Sequence, residues 1–393
     1  MSALPNAKDL PKRPESDEIE ISVFGRGVGE CIVIHLGNNE WMIIDSHLDQ
    51  ETNEPIAIKY LKQIGVNPAK DVVAILISHW HKDHIAGIYQ VVESCSKAAL
   101  FFPGVFNKKE FLTFLVAQTK IATEIDASYG AKEMLKILDS DREYTLVFCD
   151  TLLHRRQGIL PVNVFAISPS NYELKEFLKY IGSKLPKVNL RPLKVSDRHP
   201  NLVSTVVHID IGETTILLGA DMENHKNPQK GWSAVITGSK VIKSHPRKSS
   251  LFKVAHHGAN SGYSEDVWKN LLEPNVMALI APYTAQSNPI PTRSDILRME
   301  RATKNAYITC APFKKQKVEG RHPSAQKHAN KTPRRSLESI YTSMGQICAR
   351  MKIPLKSNNP KDWYIEKYGK AMSMAEVKNT LQWTEDSLSS GKK

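Results

Sequence analysis

The feature that most constrains this chain is the run SHWHKDH at residues 78–84, in which three histidines and one aspartate fall within six positions. It follows the apolar residues 72–77, whose β-branched side chains are typical of a buried central strand. The run therefore lies where a strand ends and a loop begins. A polar loop that carries histidines by chance is the alternative, but a His-x-His-x-Asp-His spacing is far more specific than a lone His-x-His pair.

The spacing inside this run predicts two neighbouring metal positions. His79 and His81 are two residues apart, so on an extended segment both imidazoles face the same way and bind one ion. Asp83 and His84 come after the chain turns into a helix that includes residues 85–92. From there they reach a second ion beside the first.

The run resembles the metal signature of the metallo-β-lactamase superfamily, and the resemblance extends over roughly residues 19–310. That family has an aspartate after an earlier strand, a second aspartate after a later strand, and a histidine at a further strand end. Asp45, Asp221 and the pair His256-His257 stand in the corresponding places. The resemblance implies an α/β fold, the four-layered αββα sandwich, here with a basic C-terminal insert and a closing hairpin.

The resemblance also implies a fuller ligand set. Asp221 is expected to bridge both ions, and one of His256 and His257 to complete the second site. Successive strand residues face opposite ways, so only one of these histidines is expected to bind; His256 is favoured and His257 stays open. His199 is a candidate for a third histidine at the first ion, and a structural role in its His-Pro loop is the alternative.

Three further residues are expected to support the ligands instead of binding metal. Asp45 is predicted to orient a ligand histidine through a hydrogen bond. Asn201 and Ser204 match a strand start that the DNA-uptake (competence) branch has where other branches carry a metal histidine.

Two more elements resemble that branch, namely the turn GVGECIVI at residues 27–34 and the His-His-Gly sequence that ends at Gly258. The chain also departs from the branch, which leaves the substrate less defined than the metal chemistry. The departures are Val28, Glu30 and Ala259 in place of Gln, Asp and Ser, and residues 288–291 in place of a His-Pro pair.

Imidazoles and carboxylates are ligands for zinc, with manganese as the alternative. Two divalent ions lower the pKa of a water held between them and neutralise charge on the oxygens of the breaking bond. Asp83 or Asp221 is predicted to take the proton. The sequence thus predicts a metal-dependent phosphodiesterase or nuclease that uses a hydroxide held by two metals.

Positive charge is concentrated in the C-terminal third. The formal net charge is +12, and residues 304–370 hold fifteen Lys or Arg against four acidic residues. Clustered Lys and Arg bind nucleic acid largely through counterion release, so DNA or RNA is the predicted partner; a solvated insert is the alternative. The predicted contacts are Lys314, Lys315, Lys317, Arg334 and Arg335.

The expected organisation is a disordered tail at 1–17, the metallo-β-lactamase domain at 18–312, a basic loop or insert at 313–340, and a C-terminal hairpin and helix packed on the core at 341–393. The five cysteines are scattered and form no CxxC pair. Together with the absence of a signal-like or membrane-length apolar segment, they favour a reducing cytoplasm and no membrane contact.

Two other functions are compatible with the sequence. A hydrolase of a small ester, such as a cyclic nucleotide, a phosphocholine-type ester or a lactone, would be indifferent to charge reversal in the basic loop. A partner-dependent component of a multi-component system, such as bacterial defence, would bind nucleic acid or protein even without metal.

Overall fold

The computed structural model describes residues 11–105, 111–113, 125–184, 200–285, 289–312, 344–352 and 362–380. The expected basic insert at 313–340, with its five predicted nucleic-acid contacts, lies outside the described residues. The candidate ligand His199 lies outside them as well. Among the described residues, no helix has the length and apolar character needed to cross a bilayer.

Two eight-stranded sheets form the centre of the fold. The strands are β1 Glu18–Gly25, β2 Glu30–His35, β3 Trp41–Ile44, β4 Val72–Leu76, β5 Ala99–Pro103, β6 Thr145–Val147, β7 Thr151–Arg156, β8 Val162–Ala166, β9 Val207–Ile211, β10 Thr214–Leu218, β11 Ser249–Lys253, β12 Leu272–Ile280, β13 Ala306–Ile308, β14 Gly345–Lys352, β15 Tyr364–Tyr368 and β16 Met372–Ser373. The first sheet has the order β15-β14-β1-β2-β3-β4-β5-β6, and the second has the order β16-β13-β12-β11-β10-β9-β8-β7.

Helices connect the strands and cover the outer face of each sheet. They are α1 Ile56–Gln63, α2 Pro68–Asp71, α3 Lys82–Ile85, α4 Ile88–Ser94, α5 Ile125–Leu138, α6 Asn171–Lys184, α7 Gly231–Gly238, α8 Lys240–Ser244, α9 Glu265–Asn270, α10 Arg293–Ala302 and α11 Met374–Thr380. Short 3₁₀ turns cover Pro200–Val203, His256–Gly258 and Asn260–Gly262.

The apolar side chains form three layers, one between the sheets and one between each sheet and its helices. Strand β2 shows how the sequence produces them. Ile32 and Ile34 face the other sheet, while Cys31 and Val33 face helices α1 and α4. A strand buried on both faces reads as a continuous apolar run. Three apolar layers separate four layers of secondary structure, so the predicted αββα sandwich is confirmed.

The parallel strands bring several chain ends to one edge of the sandwich. Strand β3 pairs in parallel with β4, and β10 pairs in parallel with β11. Their carboxyl ends lead to Asp45, His79, Asp221 and His257 respectively. Ligand sites of open α/β sheets lie at such ends because side chains from separate strands converge there.

Candidate metal centre

The histidine-rich run leaves β4 at Leu76 and enters helix α3 at Lys82, with His81 at the helix N-cap. The predicted single helix over residues 85–92 is instead two short helices, because the chain turns at Gly87, whose φ is +76°. This left-handed φ favours glycine, and a Cβ at Gly87 would also lie 2.3 Å from Leu48 Cδ2. Asp83 and His84 therefore lie on helix α3.

The first group of candidate ligands consists of His79, His81 and Asp221. His79 Nε2 lies 3.0 Å from His81 Nδ1 and 3.8 Å from Asp221 Oδ2. His79 is fully buried, while His81 is partly exposed. The two imidazoles thus lie together, and Asp221 comes to them from the other sheet.

The second group consists of Asp83, His84 and His257, again with Asp221 beside it. His84 Nε2 lies 3.7 Å from Asp83 Oδ2 and 3.5 Å from Asp221 Oδ1. His257 Nε2 lies 3.3 Å from Asp83 Oδ2 and 3.5 Å from Asp221 Oδ2. Asp221 therefore contacts both groups, as a bridging ligand must.

Of the two candidate histidines, the structure brings His257 and not His256 into the ligand groups. The Nε2 of the buried His257 faces the cluster, whereas His256 is 18% exposed and its Nδ1 lies 2.9 Å from Ser261 Oγ and 3.4 Å from Glu223 Oε1, outside the cluster. The alternation argument does not apply because β11 ends at Lys253 and both histidines lie in a 3₁₀ turn. Both have positive φ, of 49° and 54°, which no strand pattern predicts.

Asp45 lies behind the ligand histidines and holds two of them. Its Oδ2 is 2.7 Å from His84 Nδ1, and both of its oxygens accept hydrogen bonds from Ser78, at 2.7 Å from the backbone N and 2.6 Å from Oγ. Ser78 Oγ is in turn 3.0 Å from His79 Nδ1, so that ring nitrogen is the donor. In both histidines Nε2 is left to face the cluster.

We predict that Asp45→Asn weakens cation binding about 10- to 100-fold, since loss of a partner that orients a ligand has effects of this size. The amide group of asparagine would replace the oxygen that accepts hydrogen bonds from Ser78 Oγ–H and His84 Nδ1–H, and an amide NH₂ cannot accept them. Competition between the protein and a chromogenic zinc chelator measures the affinity. Asp49→Asn is the matched control, because Asp49 accepts from Thr52 and Lys59 outside the cluster. Equal affinity in both variants would contradict the assigned role.

Asn201 and Ser204 make their hydrogen bonds to residues outside the ligand groups. Asn201 Nδ2 donates to His256 Nε2 at 3.4 Å and to Glu223 Oε1 at 3.3 Å, so it supports His256 and not His257. Ser204 accepts from Ser168 Oγ through its backbone carbonyl at 2.7 Å. Among the hydrogen bonds of the described residues, neither side chain reaches a cluster residue, because residues 200–203 form a 3₁₀ turn and not a strand start.

Sequence reasoning missed two contacts beside the cluster. Arg26 Nε donates to His47 Nε2 at 2.7 Å. Glu30 and Lys253 form a buried ion pair, with 2.5 Å between Oε1 and Nζ. The signal for the second contact was available, since Lys253 is the one charged residue in the apolar run 251–255.

The carboxylates and imidazoles shift one another's pKa values. Burial lowers the pKa of His79, and the neighbouring His84 and His81 lower it further. Burial also disfavours the charged form of His257, but Asp221 overcomes it and, with Asp83 and Glu30, raises the pKa of His257 to about 10.

The same balance raises the pKa of His84, where burial is outweighed by Asp221, Asp83 and Asp45. The carboxylates thus draw positive charge into the cluster.

Two buried polar atoms of the cluster indicate whether its residues can bind a metal. Among the described residues, neither His84 Nε2 nor Asp221 Oδ1 has a hydrogen-bond partner, although the two atoms face each other at 3.5 Å. Imidazole nitrogens and carboxylate oxygens are the donors that zinc takes. The cluster therefore fits divalent cations, which would satisfy both atoms.

Residues 24–100 match the model of the metallo-beta-lactamase superfamily. No curated protein matches the chain. Two similar solved structures are MEM-A1, a subclass B3 metallo-beta-lactamase from a soil metagenome library (14% identity, covering 66% of this chain and 84% of that one, TM-score 0.31), and the metallo-beta-lactamase fold protein YhfI from Bacillus subtilis (12% identity, 74% and 95%, TM-score 0.34). The family match and the His/Asp groups together support a metal-dependent hydrolase.

Proposed function

We propose that the protein is a nuclease that hydrolyses phosphodiester bonds with two divalent cations, zinc or alternatively manganese. One observation carries the proposal: Asp221 directs Oδ1 towards His84 and Oδ2 towards His79 and His257. A carboxylate shared between two ligand groups suits a two-cation site. Such a pair of cations lowers the pKa of water and neutralises charge on the attacking and leaving oxygens of a phosphodiester.

The described side chains supply the cation ligands and the hydrogen bonds that orient the ligand rings. His79, His81 and Asp221 would hold the first cation. Asp83, His84, His257 and Asp221 would hold the second. The hydrogen bonds to the far ring nitrogens fix the ligand rings before any cation binds, which limits the reorganisation required on binding.

Access to the cluster is one-sided. The side chain of Asp83 is 15% exposed, whereas that of Asp221 is 4% exposed and that of His84 is fully buried. Substrate and water therefore approach from the side of His81 and Asp83. Of the two predicted proton acceptors, Asp83 is the more exposed.

The substrate class is inferred from charge. A net charge of +12 concentrated in the C-terminal third suits a polyanion, and the predicted contacts are the lysines and arginines at 314, 315, 317, 334 and 335. A protein partner in a multi-component system is compatible with this proposal.

The test is incubation of the purified protein with single- and double-stranded DNA and RNA, with zinc or manganese and with a chelator. We expect metal-dependent cleavage that the chelator abolishes. Asp83→Ala combined with His84→Ala is the control for contaminating nuclease. Absence of cleavage by the wild type, or cleavage unchanged in this double variant, would reject the proposal.

A chromogenic phosphodiester distinguishes a nuclease from a small-ester hydrolase. We expect charge reversal at Lys314, Lys315, Arg334 and Arg335 to weaken cleavage of the polymer and to reduce the salt dependence of that cleavage, while turnover of the small ester stays unchanged. Turnover of the chromogenic ester with no cleavage of any nucleic acid would favour the small-ester function.

A further inference from the structure

A buried ion pair joins the two sheets beneath the metal cluster. Glu30 lies at the start of β2 in the first sheet, and Lys253 lies at the end of β11 in the second. Glu30 is 1% exposed and Lys253 is fully buried. Their Oε1 and Nζ atoms are 2.5 Å apart.

Stability alone is a weak reason for such a pair. Removing two charges from water costs several kcal/mol per ion, and the attraction between them often only offsets this cost. An apolar pair of similar volume in the layer between the sheets would serve stability as well or better. The pair is therefore better explained by the carboxylate that it holds next to the cluster.

The second oxygen of Glu30 faces a candidate ligand. Glu30 Oε2 lies 3.6 Å from His257 Nδ1, and among the described residues it has no hydrogen-bond partner. His257 Nδ1 itself is 2.9 Å from the carbonyl oxygen of Ala281 and donates to it. A carboxylate next to that N–H draws positive charge onto the ring and increases the basicity of Nε2, the nitrogen that faces Asp83 and Asp221.

The position of the pair between the sheets has a second consequence. His79, His81, Asp83 and His84 follow a strand of the first sheet, whereas Asp221 and His257 follow strands of the second. Lys253 is also linked to Asp221, since its carbonyl oxygen accepts from Gly219 N at 3.0 Å, two residues before the aspartate. The ion pair thus links the two sheets that carry the two halves of the cluster.

We propose that Glu30 is a positioning residue for His257, with Lys253 as the counter-charge that ties it to the second sheet. This inference rests on the proposed two-cation site. Glu30 contacts neither substrate nor cation. It acts through the imidazole, so its loss affects the second cation, bound by Asp83, His84 and His257, more than the first.

The test measures zinc binding and thermal unfolding without any activity assay. In Glu30→Gln we expect the affinity for one of the two cations to fall about 10- to 100-fold, the size typical for loss of a group that supports a ligand, with the other cation unaffected. Competition with a chromogenic chelator resolves the two affinities, and elemental analysis gives the stoichiometry.

Glu40→Gln is the matched control. Glu40 pairs with Arg156 at 2.7 Å, so this ion pair also links the two sheets. Glu40 lies just before the start of β3, however, whereas Asp45 and the cluster lie at the end of that strand. We expect this variant to unfold at a lower temperature and to bind both cations as the wild type does. If Glu30→Gln behaved like Glu40→Gln, the inference would be overturned.

A charge exchange separates positioning from simple pairing. Glu30→Lys with Lys253→Glu keeps an ion pair but places an ammonium next to His257. We expect the second cation to be lost even where the unfolding temperature recovers; recovery of both would show that only the pairing matters. Wild-type protein that binds fewer than two cations would also overturn the inference, whereas two tightly bound cations without nuclease activity would reject only the proposed nuclease.

Discussion

For the proposed two-cation nuclease, Asp221→Asn is expected to lower phosphodiester hydrolysis by about 10³-fold or more and to reduce the bound zinc from two ions to one or none. The side chain contacts both ligand groups, with its oxygens 3.5 Å from the Nε2 atoms of His84 and His257 and 3.8 Å from that of His79. An amide keeps one oxygen and loses the charge. Charge stabilisation by metals is worth several kcal/mol, and each 1.36 kcal/mol corresponds to a tenfold change in rate.

Asp210→Asn is the matched control for this variant. Asp210 is also a nearly buried aspartate of the second sheet, but it accepts from Thr215 Oγ1 at 3.0 Å and is not part of the cluster. We expect it to retain two zinc ions and wild-type hydrolysis. Two tightly bound ions in Asp221→Asn would show that Asp221 is not a shared ligand.

The second large effect is expected from His257→Ala, with His256→Ala as its neighbour and control. His257→Ala removes the imidazole next to Asp83 and Asp221, so one zinc ion is lost and hydrolysis falls by about 10²-fold or more. His256→Ala removes a partly buried ring that lies outside the ligand groups, next to Ser261, and is expected to keep both ions. Elemental analysis and hydrolysis of a chromogenic phosphodiester measure the two effects.

Added imidazole sharpens this comparison. We expect it to restore part of the zinc binding of His257→Ala, since the cavity left by a ring buried to 97% accepts a free imidazole. Loss of zinc in His256→Ala with retention in His257→Ala would reverse the assignment made from the structure and support the original preference for His256.

Much of the candidate site is local and was therefore predictable. The converging imidazoles of His79 and His81 follow from their spacing after a buried strand. Asp45 and Asp221 each come directly after a short apolar run, so their place at a strand end could be inferred without any long-range contact. The two-sheet sandwich was implied by the family resemblance.

The conformation of the backbone decides that His257, and not His256, lies in the ligand group. Strand periodicity makes neighbouring residues face opposite ways, but it applies only while the strand lasts, and β11 ends at Lys253. Both histidines then lie in a 3₁₀ turn with positive φ, which strand periodicity does not describe. Likewise, Asn201 contacts His256 and not the cluster because a 3₁₀ turn replaces the expected strand.

The sequence by itself determined which residue types stand at the strand ends, and so which metal chemistry this protein can support. Only the tertiary structure decided which of them meet. Glu30 and Lys253 are 223 positions apart, and no local pattern relates them; they pair because two sheets are packed face to face. Contacts between sheets depend on how whole layers of side chains fit together, which is a property of the folded core and not of any one segment.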